Sequence, residues 1–286
     1  MKATGHPGWI SSPWGFVRRV LVAAFEDNIL FLASALTFQA LLAALPFVLL
    51  ALATLGYVLH AGDDAVMDVF RIMQNVVPSA GLGEGDPLNQ VERFINGVQE
   101  SRLRLSSYGL PLFLWFSTRF FSGARSALNH VFDTQENRPW YVGTALDFLL
   151  VMVTLVLVVV STVLTLRMAG LPWFGRFAAS VSTFGLGVVL FYLVYSISPT
   201  RRIPWDTALV AAAVASLGFE ITKKLFVIYL VQFTTVDRLF SNTNAIALLL
   251  LVVWMYFTAC VFLVGAEVAE TYDMRQRQRE QRAILT

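Results

Sequence analysis

Charge is scarce in this 286-residue chain: Asp, Glu, Lys and Arg together make up 14% of it, against about 25% in an ordinary soluble domain. Cysteine and histidine are scarcer still. The one cysteine, Cys260, rules out an intrachain disulfide framework, and its place in an apolar run marks it as a buried, inert thiol. The three histidines, His6, His60 and His130, lie in unrelated segments, so the clustered ligands of a metal-dependent hydrolase are missing. No GxSxG elbow presents a nucleophilic serine. Enzymatic chemistry, a bound metal and a cofactor are therefore not expected. A net charge of +2, with no basic surface interleaved with aromatics, gives no footing for a nucleic-acid partner.

What the chain has in quantity is apolar sequence, 57% of its residues. Several runs reach the ~20 residues that a helix needs to cross a bilayer. The expected fold is all-α: a polytopic membrane protein with six transmembrane helices, an N-terminal interfacial helix and an extracytoplasmic amphipathic helical cap. The N-terminus is not a cleavable signal, because Glu26-Asp27-Asn28 separates Arg18 and Arg19 from an apolar run too long for an h-region.

Residues 1–28 form the interfacial segment, with Ser12-Pro13 as helix start and Phe16, Val17, Val20, Leu21 and Ala24 at helical spacing. Residues 29–266 are the membrane domain. Its first span runs from Ile29 to Leu59 and contains Pro46, a kink that neighbouring helices can tolerate, with Thr37 and Gln39 as its polar members. For both, a helix–helix hydrogen bond outweighs a ligand contact. Residues 61–106 read as two amphipathic helices on the outer side, one capped by Asp63 and Asp64, the other started by Asp86-Pro87. The glycine-rich turn between them, Gly81 to Gly85, lacks the Gly-Lys-Ser/Thr ending of a phosphate loop and reads as a connector. Further spans are expected at Tyr108–Leu128, Thr144–Leu166, Arg176–Ile197, Trp205–Val231 and Thr243–Ala266, followed by a basic tail over 267–286.

Lys and Arg placement sets the orientation. With six spans both termini share a side, which then carries ten Lys/Arg residues against seven on the other, the ten lying on short flanks. Both ends are expected in the cytoplasm.

The improbable residues are charges within spans, which cost about 2.5–3.5 kcal/mol each on insertion scales and need partners or water. At about 1.5 Å per residue, Glu220 in the fifth span falls near the midplane and Arg119 in the second at similar depth, with Lys223 and Lys224 one turn further out. Glu220 and Lys224 are spaced i,i+4 and share a face, with Lys223 beside them. If Arg119 faces inward the cluster is net cationic and calls for an anion, either a carboxylate of the protein or the headgroup of a lipid or solute. The alternative is a set of ion pairs that fixes helix packing. Arg125, Asp147 and Glu267 fall near the cytoplasmic ends of their spans, where a structural or gating role is favoured. Ala208, Ala212 and Ser216, and Ala211 with Ala215, form small-residue rows that serve either the bundle or a homo-oligomer.

Four blocks, SALTFQALLAALP, LWFSTRFFSGARSALNHVF, RRIPWDTALVAAAVASLGFEITKKLFVIYL and LLLLVVWMYFTACVFLVGAEV, occur in an order that resembles the YihY/BrkB family of bacterial membrane proteins, once labelled ribonuclease BN. The resemblance covers nearly the whole chain. It implies six spans, residence in the bacterial inner membrane, a part in envelope integrity and serum resistance, and a role as transporter or lipid flippase. Within this pattern Asn129, Glu220, Lys224, Gly265 and Glu267 stand at positions the motifs mark. Phe38-Gln39 replaces a tyrosine-rich stretch, and Phe240-Ser241-Asn242-Thr243 replaces a Tyr-Gly-Ser turn. The functional expectation is a transporter or flippase for an anionic lipid or amphiphile, with membrane lipids as partners. A small-anion or proton-coupled exporter and a non-transporting structural protein are the alternatives.

Overall fold

The computed structural model describes residues 13–60, 87–134, 138–169, 173–201, 203–233 and 243–285. The Asp63-Asp64 cap helix, the Gly81 to Gly85 turn and the Phe240-Ser241-Asn242 turn lie outside the described residues. Those described form seven α-helices and no strand. They are α1 (Pro13–Glu26), α2 (Ile29–His60), α3 (Pro87–Val131), α4 (Trp140–Ala169), α5 (Trp173–Ile197), α6 (Trp205–Phe233) and α7 (Thr243–Leu285).

Helix α1 starts at a proline, whose fixed φ suits a first turn and whose missing N–H costs nothing there. It stops at Asn28, held at φ 51°, a left-handed conformation that asparagine tolerates better than most residues. The Asn28 carbonyl then accepts the first amides of α2, from Phe31 and Leu32. Helix α2 continues through Pro46.

Two expected boundaries are absent. The amphipathic segment begun by Asp86-Pro87 and the span from Tyr108 are one 45-residue helix, α3, running through Pro111. Between them, the hydroxyls of Ser106 and Ser107 donate back to the carbonyls of Leu103 and Arg104, and the backbone stays helical. At about 1.5 Å per residue α3 is roughly 68 Å long, more than the ~40–45 Å of a whole bilayer. Likewise the last span and the basic tail are a single 43-residue helix, α7.

Three helices among the described residues are long and apolar enough to cross a membrane: α2 over Ile29–Ala51, α4 over Trp140–Ser161 and α7 over Leu249–Gln278. A shorter apolar stretch occupies Phe184–Ile197 of α5. Large apolar side chains such as Phe31, Trp115, Trp140 and Val156 lie exposed, as a lipid-facing surface requires and a water-facing one does not.

The chain divides into two compact units, residues 41–117 and the remainder. In the first, Phe47 packs on Phe113 with centroids 6.0 Å apart, and Gly109 lets Leu49 and Leu50 approach. In the second, α4, α5, α6 and α7 pack in sequence order, and α1 lies on α7. Ile29, Ala33 and Leu36 of α2, Ala124 and Ala127 of α3 and Leu263 of α7 make a buried apolar cluster. Both small-residue rows of α6 are buried within the chain, Ala208, Ala211 and Ala212 completely. They let α6 approach its neighbours closely: a Cβ at Gly265 would stand 2.5 Å from Tyr195 Oη and 2.9 Å from Ala215 Cβ, and one at Gly218 2.6 Å from Val261 Cγ1.

Candidate functional site

Helix α6 carries Asp206 in its first turn, where a carboxylate complements the helix dipole. Its alanine face turns into the bundle. The opposite stripe, Leu217, Ile221 and Ile228, is more than half exposed, and Lys224 is exposed on the same stripe. This is an apolar outer surface with one cation on it. Lys223 turns aside: its Nζ is 2.6 Å from Glu220 Oε1 and 5.8 Å above the Phe219 ring, both contacts within one turn of helix. Lys224 has no ion-pair partner among the described residues. Arg119 is exposed on α3, and no ion pair joins it to Glu220 among the described residues. The four charges expected as one cluster thus comprise a paired Glu220 and Lys223 and an exposed Lys224 on α6, and an exposed Arg119 on α3.

The other expected polar residues gather at one end of the bundle. Arg125 on α3 reaches across Gly143 to Asp147 on α4, with Nη2 3.0 Å from Oδ2. Asp147 is 1% exposed. The contact is Coulombic, since neither carboxylate oxygen has a donor in hydrogen-bonding geometry, and Arg125 also donates to Ser122 Oγ at 3.2 Å. A Cβ at 143 would overlap Nη1, so any larger residue there requires the flexible end of the arginine to shift. Asn129, near the end of α3, accepts from the Thr200 amide at 2.9 Å and donates to its hydroxyl at 3.2 Å. Glu267 is fully buried on α7. Gln39 departs from the expected helix–helix hydrogen bond. Its amide lies where a Cβ of Gly123 would stand, with Oε1 accepting nothing, while Thr37 donates to Ala33 of its own helix.

Several residues of this network escaped the sequence reading. Arg138 caps the end of α5 by donating to the carbonyls of Ile197, at 3.0 Å, and Pro199, at 2.8 Å. Arg201 contacts Glu270 at 3.4 Å and also pairs with Asp273, to which Arg277 adds a second cation at 3.1 Å. The turn from α5 to α6 is therefore tied to α3, to the segment before α4, and to α7. Partners 59 to 72 residues apart leave no local signature. The available signal was the Gly143-x-x-x-Asp147 spacing opposite Arg125.

Between α2, α3, α4, α5 and α7 lies a cavity of about 240 Å³, whose walls include Leu36, Phe120, Leu190, Phe191, Trp254 and Phe262. Trp254 and Phe191 belong to an aromatic group that continues outward. Phe219 packs on both, at 6.3 and 6.2 Å, and Phe226 stacks on Trp254 at 5.5 Å. On the far side, Tyr195 stacks on Phe262 at 5.2 Å and donates to its carbonyl at 2.6 Å.

Residues 20–284 match the sequence pattern of the family described as Virulence factor BrkB. A protein of Cronobacter sakazakii called a UPF0761 membrane protein is 26% identical over 266 residues, 90% of this chain and 89% of its own length. A UPF0761 membrane protein of Alteromonas mediterranea is 24% identical over 272 residues, 91% of this chain and 89% of its own length. The UPF0761 membrane protein YihY of Salmonella typhimurium is 27% identical over 206 residues, 70% of this chain and 68% of its own length. No solved structure matches.

Proposed function

The chain belongs to the Virulence factor BrkB family, and we propose that this multi-pass membrane protein is a transporter or flippase for an anionic lipid or amphiphile. In this reading six helices span the bacterial inner membrane with both termini in the cytoplasm. Lys224 carries the proposal. It stands on the exposed apolar stripe of α6, about two thirds of the way along a 29-residue helix, without a partner carboxylate among the described residues. A cation so placed costs about 2.5–3.5 kcal/mol in hydrocarbon unless water or an anion meets it. A lipid phosphate travelling along the outer face of α6 supplies that anion. Lys223, held beside it by Glu220, adds a second donor in the same turn.

The helix-end network supports a different role for Arg125, Asn129, Asp147 and Glu267. The contacts of Arg125, Asn129 and Asp147 join helix ends, and Glu267 is buried on α7.

The test is lipid movement in proteoliposomes, with headgroup-labelled phosphatidylglycerol and phosphatidylcholine compared at equal protein density. Faster exchange of the anionic lipid between leaflets, relative to protein-free vesicles, is the expected result. No exchange of either lipid by folded, monodisperse protein would contradict transport, and equal exchange of both would contradict the anionic preference.

A further inference from the structure

We infer that the cavity between α2, α3, α4, α5 and α7 receives one hydrocarbon chain of a membrane lipid. The inference takes the position of that lipid's headgroup from the transport reading above. The volume, about 240 Å³, exceeds the ~150 Å³ of an engineered apolar cavity that stays dry and binds benzene. Thr37 donates to the Ala33 carbonyl at 2.7 Å and Thr258 to that of Trp254 at 2.9 Å, so their hydroxyl protons are spent on their own helices. The Thr154 hydroxyl and the Trp254 indole N–H have no partner among the described residues but are buried behind a lining whose accessible surface is almost wholly apolar. Water needs two to four polar partners to occupy a site, and the accessible lining of this cavity is almost wholly apolar. In a bilayer the abundant apolar occupant is an acyl chain.

The aromatic group says which lipid. Trp254 and Phe191 form part of the wall, Phe219 packs on both, and Lys223 Nζ stands over the Phe219 ring. Two layers of rings, Trp254 with Phe191 and then Phe219, thus lead from a hydrocarbon-accepting cavity to Lys223, with Lys224 next to it in sequence. A lipid whose phosphate meets these lysines has the cavity within reach of one of its chains, so headgroup and chain sites serve the same molecule.

The experiment uses the full-length protein in vesicles containing phosphatidylglycerol with a diazirine near the end of one acyl chain. After photolysis the labelled residues are mapped by mass spectrometry. Label on cavity-wall residues such as Phe120, Leu190 or Met255, lost severalfold in Ala259→Phe, is the expected result. Ala40→Leu, a smaller filling from another wall, serves if Ala259→Phe does not fold. Label confined to outward residues such as Leu217 and Ile221, unchanged by either filling, overturns the inference. The readout separates this inference from transport. Cavity labelling without lipid exchange keeps the chain site and removes the transport reading, whereas exchange without cavity labelling does the reverse.

Discussion

Two glycines decide more than their size suggests. Gly143 exists so that the Arg125 guanidinium can cross α4 and reach Asp147. Adding a methyl there makes the flexible end of the arginine shift beside a carboxylate that is almost wholly buried. Breaking a buried pair by removing one partner costs about 3–5 kcal/mol. Arg125→Met should therefore lower thermal stability in detergent more than Gly143→Ala does, and Arg125→Met with Asp147→Leu should recover most of the loss. Wild-type melting of Arg125→Met would contradict the assignment. Gly265→Ala brings a Cβ against Tyr195 Oη and Ala215, an overpacking worth about 1–3 kcal/mol. Because the tyrosine oxygen is the nearest atom, Gly265→Ala with Tyr195→Phe should be less destabilised than the two single losses added, as a thermal double-mutant cycle would read. At this scale the charged residues themselves were legible, since each interrupts an apolar run. Their partners were not, because a side-chain pair across helices depends on the rotation of both.

Helix cores were legible for a simple reason: long apolar runs bounded by Trp, Pro or polar clusters can satisfy their backbone within lipid only as helices. The starts at Ile29 and Trp205 and the end at Ile197 coincide with expectation. The failures came where composition changes but the backbone does not, at Ser106-Ser107 in α3 and after Ala266 in α7. In α7 the change of composition marks a change of surroundings: past Ala266 the helix buries Glu267, Glu270 and Asp273, two of which bind Arg201. The tail is thus part of the bundle rather than an appendage. Truncation after Ala266 should yield protein that aggregates on size-exclusion chromatography, while truncation after Gln278 should leave a monodisperse peak. Equal behaviour of the two would show the Arg201 contacts to be dispensable.

For the whole molecule the charge distribution and the structure support one arrangement. The network of Arg138, Arg201, Glu270 and Asp273 gathers residues from the flanks that carry most of the basic residues, which the positive-inside rule assigns to the cytoplasm. A C-terminal fluorescent-protein fusion should glow and an alkaline phosphatase fusion at the same site should be inactive; the opposite pattern would invert the topology. What no apolar pattern could disclose is the cavity, because it arises from the way five helices fail to fill a space together.

The central claim is that Lys224 meets an anionic headgroup on the outer face of α6, and the direct measurement is the rate of phosphatidylglycerol exchange in proteoliposomes for three variants. Lys224→Ala should slow exchange severalfold at unchanged melting temperature, Lys224→Arg should retain most of the wild-type rate, and Glu220→Gln should lower the melting temperature by freeing Lys223. An alanine variant that exchanges lipid at the wild-type rate would contradict the claim.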